Sequence, residues 1–424
     1  MNIIIVHHHL YTGGVTKVIK TQIEALSKIP SINIHLLCGD FYDFECENVT
    51  FHHLPEINYL KASDTQVDIT NHKEKISASI NDLCVKVENP IFHIHNLNLG
   101  KNPLLNIAMF ELIERGVPVF NHCHDFAEDN RPANMEWLSS VIEGKYKYSL
   151  EEVLYPNRPN VLYGVINDED KKLLAHHKST FEKVFFLPNA ISAPPELTPN
   201  PDKIRQQLGI KNSLPIIVYP VRVIQRKNIA ELILLTALFK EKANWCVTQA
   251  PKNPDELIQY EYWKAFCLKN DIPLVFEAGD ACDFHELMWS ADRIITTSSK
   301  EGFGLTFLEP WLYGKAVIGR NLPLITKDFK SQNINLNMLY DSIFVDDKDF
   351  IDLSESEKEK EILNIVYSKK YSEDFILKNN LNSLLEPILE SLIDNNRKAI
   401  QSSYSVHAYG ENLNNIYDRL IKSN

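Results

Sequence analysis

The 424-residue chain is predicted to fold as two α/β domains in tandem, each a Rossmann-like, doubly wound and mostly parallel sheet with helices on both faces. Three observations predict this. Short β-branched runs alternate with longer helical segments over most of the chain, the pattern that builds parallel sheets. A proline-rich interval separates two such alternations. With 44% hydrophobic residues, the length suffices for two separate cores.

In the first alternation, strands are expected at 2–6, 33–37, 90–94, 118–122, 160–165 and 183–187, and helices at 14–28, 103–115 and 168–175. The run Ile3, Ile4, Ile5, Val6 opens it and is too short for a signal-peptide core, so it reads as a first strand. Ligands of such sheets gather at the carboxyl ends of the strands, which directs attention to loops 11–14, 95–100 and 122–134. Pro194, Pro195, Pro199, Pro201 and Pro215 then crowd around a short charged helix at 201–209, marking the boundary. The second alternation sets strands at 216–219, 245–248, 274–277, 292–297 and 316–319, with helices at 230–240, 254–268, 284–290 and 305–313. From Asp346 the chain is acidic and helical, with 355–361 as a solvated helix face. The expected domains are 1–190, 191–398 and a terminal helical segment 399–424.

A net charge of −12 and a pI near 5.7 argue against general binding to phosphate backbones, so nucleic acid is not expected as a partner. Seven widely spaced cysteines without a Cys-x-x-Cys pair indicate reduced thiols and a cytoplasmic protein. The apolar stretch 229–239 is interrupted by Glu231 and falls short of a transmembrane span.

Residues 298–309, Ser-Ser-Lys-Glu-Gly-Phe-Gly-Leu-Thr-Phe-Leu-Glu, run from a core strand through a glycine turn towards a helix. Glu301 and Glu309 bracket that helix start, where free N–H groups and the dipole favour phosphate or another electron-rich oxygen. Gly302 and Gly304 let backbone approach a ligand. Pro310 is compatible with the helix only in its first turn. The two carboxylates suit hydrogen bonding to sugar hydroxyls, and a hydrolytic acid and base remains the other reading. Arg222 and Lys227 follow a strand and precede a helix, as a diphosphate site would require, with a solvated basic loop as the alternative. Gly13 and Gly14 form a tight turn after the first strand, and no Gly-x-Gly-x-x-Gly or Walker sequence occurs. His7-His8-His9, His93 with His95, and His122 with His124 invite a metal reading, and His122 and His124 share a strand face, but no third and fourth ligand appears at a characteristic spacing, and hydrogen-bonded core or rim histidines are the other reading. The loop with His124, Asp125, Glu128, Arg131 and Asn134 is polar enough to orient a hydroxyl-rich substrate.

Glu301-Gly-Phe-Gly-Leu-Thr-Phe-Leu-Glu309 resembles the E-x7-E signature of retaining GT-B glycosyltransferases, most closely glycosyltransferase family 4. Gly13-Gly14, His124-Asp125, residues 188–191 (Pro-Asn-Ala-Ile), and Arg222 with Lys227 fall in that family's order. The resemblance implies sugar transfer from a nucleotide-diphosphate donor in an interdomain cleft to a hydroxyl acceptor, with retention, no cofactor and no essential metal. It also implies roles. Glu301 would meet the donor sugar and Glu309 the ribose, with Gly302, Phe303, Gly304 and Leu305 lining sugar or phosphate. Arg222 and Lys227 would neutralise the leaving diphosphate, His124 would sit by the donor sugar, and Gly14 and Asn189 would complete the donor site. Gly13, Asp125, Glu128, Arg131 and Asn134 are the expected acceptor side. The last helix, 403–421, would return to the first domain. The family's glycine-rich turn after 316–319 is replaced here by Arg320-Asn-Leu-Pro-Leu-Ile325. Sugar-nucleotide epimerases and phosphorylases of the same fold, and a silent nucleotide-sugar-binding subunit of a polysaccharide assembly complex, are the alternatives.

Overall fold

The computed structural model describes residues 1–11, 13–41, 44, 46–64, 68–129, 132–177 and 181–422. The chain divides into two units, 1–192 with 403–424, and 193–402.

The first unit is built on seven parallel strands: β1 (Asn2–His7), β2 (Asn33–Cys38), β3 (Val49–His53), β4 (Pro90–His95), β5 (Val119–Cys123), β6 (Val161–Val165) and β7 (Val184–Phe186). Their order is β3-β2-β1-β4-β5-β6-β7, so the winding reverses between β1 and β4. β4, β5 and β6 read as continuous apolar or compact runs because helices cover both their faces. One face packs against helices Ile69–Lys86 and Pro103–Glu114. The other packs against helix Gly14–Ser27 and helix Val406–Lys422. Val406, Tyr409, Leu413, Ile416, Tyr417 and Leu420 recur at helical spacing and bury together with Ile19, Ile23 and Leu26. Gly410 allows the close crossing, since a Cβ there would lie 3.2 Å from the Ala25 carbonyl oxygen.

The second unit carries β8 (Ile216–Arg222), β9 (Asn244–Gln249), β10 (Leu274–Val275), β11 (Arg293–Thr296), β12 (Ala316–Arg320) and β13 (Leu339–Tyr340). They pair in parallel in the order β10-β9-β8-β11-β12-β13, with the reversal between β8 and β11. β11 and β12 approach so closely at Gly319 (φ +112°) that a Cβ would fall 2.0 Å from the Thr296 carbonyl oxygen.

Three expectations require correction. The strand at 274–277 stops at Val275, because Glu277 takes a left-handed conformation (φ +57°) and starts the short helix Ala278–Ala281. The stretch 355–361 is not a uniformly solvated face: within helix Glu355–Tyr367, Lys358 and Glu361 are buried with Ile362 and Ile365. Their charges are met by Glu355 and by the Tyr371 hydroxyl, 3.0 and 2.6 Å away. The helix expected at 305–313 breaks into a 3-10 turn, Leu305–Phe307, and a helix of only four residues, Glu309–Leu312. Pro310 has no N–H to give the Thr306 carbonyl, so a continuous helix would lose that bond. β3 and helix Ile69–Lys86 escape sequence reading: β3 is largely exposed, and the helix buries only Ile76, Ile80 and Leu83 among polar neighbours.

All seven cysteines are free thiols. Among the described residues, no helix is long and apolar enough to cross a membrane.

Candidate active site

The reversal between β8 and β11 brings two carboxyl-end loops of the second unit side by side. After β8, residues 225–227 form a 3-10 turn that ends at Asn228 in the left-handed region (φ +49°), a conformation asparagine tolerates. After β11, Thr297 reaches across and donates its hydroxyl to the Lys227 carbonyl at 3.0 Å. The Ser299 N–H donates to the Arg226 carbonyl at 2.8 Å. These bonds fix the backbone beneath Lys227.

Lys227 and Glu301 meet above it. The Lys227 ammonium and the Ser298 hydroxyl both donate to Glu301 Oε1, the hydroxyl at 2.6 Å, while Arg226 Nη1 donates to Oε2 at 2.7 Å. The Tyr219 hydroxyl lies 2.7 Å from Ser298 Oγ, extending the chain of polar groups into the core. Burial alone would raise the Glu301 carboxyl, but the Lys227 ammonium, Ser298 and Arg226 outweigh it and hold it below the usual carboxylate range. Burial lowers Lys227 despite the attraction of Glu301, and Arg226 adds to that lowering. The outcome is an ion pair with both side chains nearly out of solvent, at 11% and 8% exposure. It presents a fixed ammonium at the end of the sheet.

The glycine turn is shaped by Gly304 (φ +88°), where a Cβ would lie 2.9 Å from both Ile325 Cγ2 and Phe307 Cδ2. Gly302 is exposed, and a Cβ there would meet nothing within 4 Å. Phe303 is buried edge-on against Phe329, with ring centroids 5.6 Å apart. Leu305 opens the 3-10 turn, and half-buried Glu309 begins the four-residue helix. A helix that short has little dipole. The expected anion preference of this helix end therefore loses its basis, and the cations after β8 provide the positive charge.

Arg222 ends β8, apart from the Lys227 and Glu301 contacts. Its Nη2 donates to Gln249 at 3.4 Å, and its Nε is buried without a hydrogen-bond partner. Arg320, where a glycine-rich turn was expected, points into the core. Its guanidinium bonds Glu231 at 2.6 and 2.9 Å and Asp349 at 2.7 and 2.8 Å, with the Tyr340 hydroxyl also on Glu231 at 2.7 Å. Burial opposes its charge, but Asp349 and Glu231 overcome that and raise its pKa. Sequence reading missed this network, although Glu231 interrupting an apolar helix was its visible signal.

In the first unit, His124 and Asp125 follow β5 and are half-buried. Both of their backbone N–H groups donate to Asn96 Oδ1, at 2.7 and 3.2 Å, and Asn98 donates to the Asp125 carbonyl at 2.8 Å. Asn96 is left-handed (φ +59°), so the loop after β4 is shaped to hold the loop after β5. Neither asparagine was singled out in the sequence. Glu128 is exposed and accepts from the Tyr155 hydroxyl at 2.7 Å, and Asn134 donates to the Leu99 carbonyl at 3.1 Å. Arg131 lies outside the described residues. Asn189 is buried, with Oδ1 unpartnered. Gly13 is extended, and a Cβ on Gly14 would meet nothing within 4 Å, so neither glycine is forced by its backbone.

His124 also belongs to a row that the strand periodicity only half revealed. His7, His93, His95 and His122 lie on the same sheet face, with ring centroids 4.2 Å apart for His122 and His124 and 5.0 Å for His95 and His122. The fold brings in the third histidine that sequence spacing did not supply. Burial holds His7, His93, His95, His122 and His124 well below the usual imidazole value, with neighbouring imidazoles adding to the effect.

Residues 200–335 match the family model described as "Glycosyl transferases group 1". The chain is 30% identical over 367 residues to the mannosylglucosyl-3-phosphoglycerate synthase of Petrotoga mobilis, covering 81% of this chain and 69% of that one. Among solved structures, a glycosyltransferase from Rickettsia africae superposes with a TM-score of 0.64 at 16% identity, over 100% of this chain and 99% of that one. Anabaena Alr3699/HepE in complex with UDP-glucose gives 0.60 at 12% identity, over 100% of both chains. At those identities the structural likeness establishes the fold class, that of two-unit GT-B glycosyltransferases.

Proposed function

Because this chain belongs to the group 1 glycosyl transferases, we propose that it moves a hexosyl group from a nucleotide-diphosphate sugar to a hydroxyl acceptor, with retention and without an essential metal on the diphosphate. The observation that carries this reading is the buried Lys227 ammonium held by Glu301 at the carboxyl ends of β8 and β11. When the bond from the anomeric carbon to the diphosphate breaks, its electron pair leaves with the phosphate oxygen. A preorganised cation stabilises that growing charge most in a site sheltered from water. Lys227 supplies it, and Arg222 adds a guanidinium whose Nε has no protein partner. The acceptor hydroxyl bonds to the same face of the anomeric carbon, and its proton passes to a donor phosphate oxygen.

Glu301 has two tasks in this scheme. It fixes Lys227 through Oε1, and the remaining lone pair on Oε2 is open to a donor-sugar hydroxyl. Glu309 takes the ribose, Gly302, Phe303, Gly304 and Leu305 line the sugar and phosphates, and His124, Gly14 and Asn189 serve the donor. Gly13, Asp125, Glu128 and Asn134, with Arg131 from the sequence, form the acceptor side. The relative's name places a phosphoglycerate in its product, so 3-phosphoglycerate and its glucoside belong among the acceptors tested.

The test combines nucleotide sugars, UDP-glucose included, with those acceptors. Donor-dependent transfer is expected, with kcat lowered about 10²–10³-fold in Glu301→Gln and Lys227→Met. Proton NMR of the product should show the donor's anomeric configuration, and omitting Mg²⁺ and Mn²⁺ should leave the rate unchanged. Unchanged turnover in both variants would remove the site assignment, and an inverted product would remove retention.

A further inference from the structure

We propose that His93, His95 and His122 form a buried binding site for one transition-metal ion, Zn²⁺ foremost, inside the first unit. The site lies within the β4–β5 face of that sheet, and it is independent of the transfer reaction. One ring nitrogen from each histidine lies within 4.8 Å of the other two. His93 Nε2 and His122 Nδ1 are 3.3 Å apart, the separation of two ligands at about 2.0 Å from a tetrahedral zinc. The parallel register makes the cluster: His95 pairs with His122 on β5, and His93 precedes His95 by two residues on the same face.

The surroundings supply the rest of a coordination shell. Gln22, from helix Gly14–Ser27, places Oε1 2.8 Å from His95 Nε2 and its amide nitrogen 2.6 Å from His93 Nδ1 and 3.2 Å from His93 Nε2, so an amide oxygen stands beside ligand His95 as a fourth donor. Ligating histidines need an acceptor for the other ring N–H. His93 Nδ1 has the Tyr417 hydroxyl at 2.6 Å, and His95 Nδ1 has His124 Nε2 at 2.9 Å. Each of the three rings keeps its one proton on the nitrogen turned away from the ion, so no net proton is released. Without an ion, His93 Nε2 and His122 Nδ1 share a single proton at 3.3 Å.

The chemistry selects the metal. Three imidazoles and one amide oxygen suit Zn²⁺, Co²⁺ or Cu²⁺, whereas Mg²⁺ requires an oxygen shell that this face lacks. Half-buried His124 lies at the carboxyl edge of the sheet, on the way in, and also contacts ligand His95.

The full chain, stripped with a chelator and dialysed, should take up one Zn²⁺ per chain by elemental analysis. With Co²⁺ it should develop the visible absorption of a tetrahedral nitrogen-bound ion, which Zn²⁺ abolishes and Mg²⁺ does not. His122→Gln should lose stoichiometric binding, and Tyr417→Phe, which removes only an outer partner, should weaken affinity about 10–100-fold. His9→Ala, in the adjoining His7-His8-His9 run, should bind like the parent. If His122→Gln does not fold, the Co²⁺ spectrum of the parent and the Tyr417→Phe titration decide the matter. Substoichiometric Zn²⁺ in the parent, a Co²⁺ spectrum without tetrahedral bands, or binding lost in His9→Ala but intact in His122→Gln would overturn the proposal.

Discussion

The two units bury polar groups at their sheets in opposite ways. In the first, five imidazoles share one face, and burial keeps them neutral. In the second, full charges are buried and matched: Lys227 and Arg226 on Glu301, and Arg320 on Glu231 and Asp349. A neutral imidazole can donate or accept at either nitrogen, so it adapts to its neighbour by moving a proton. A buried carboxylate has no such freedom, and removing its partner leaves an uncompensated charge. The first arrangement is vulnerable to acid, and the second to truncation of one partner.

Three experiments bear on that contrast. The largest effect is expected from Arg320→Met, which strands Glu231 at 0% exposure and should cost about 3–5 kcal/mol. Urea titration followed by tryptophan emission reads this mainly in the right place, since four of the five tryptophans, Trp245, Trp263, Trp289 and Trp311, belong to the second unit and Trp137 to the first. An unshifted midpoint would show that the network is not what holds this unit together.

Acid should act on the first unit. Burial, which outweighs the hydrogen bond to the Ile57 carbonyl, lowers His8 to about 4 from the usual imidazole value of about 6.5. Below pH 6.5 the unfolded chain takes up a proton that the folded one refuses, so stability is whole above that value and falls between pH 6.5 and 4. His8 alone accounts for about 3 kcal/mol of loss. Hydrogen exchange of β1 and β4 peptides should accelerate over that interval, before the second unit responds. Equal sensitivity of both units would erase the distinction.

The smallest effect is expected from Arg226→Ala. Arg226 is 43% exposed, and Lys227 and Ser298 still hold Glu301, so the loss should be about 1 kcal/mol or less. A cost equal to that of Arg320→Met would mean that exposure does not screen this pair.

Much of the architecture was legible because buried parallel strands and their helices leave strong periodic signals. β1, β4, β8 and helix Ile229–Phe239 were each visible to within a residue or three. Exposed β3 left no such signal, and the 305–313 segment carried good helix formers that Pro310 interrupts. Glu301 and Lys227 could be singled out from the loops they occupy, but their contact could not, since 74 residues separate them and only the adjacency of β8 and β11 joins them. The histidines stood out in the sequence, but their convergence was hidden for the same reason. His93, His95 and His122 match no local metal spacing, and register between neighbouring strands makes them neighbours. Asn96 and Asn98 lay within a loop marked by its position after β4, but their role depends on a second loop folding over them.

The crossing of helices Gly14–Ser27 and Val406–Lys422 has a consequence for how the chain is made. Ile19 and Ile23 bury against Leu413, Tyr417 and Leu420, so the first unit spans both sides of residues 193–402. During synthesis one face of its sheet waits for helix Val406–Lys422 while the whole of the second unit leaves the ribosome. The unit translated second therefore has its complete sequence first, and the earlier one is closed from behind by the later helix.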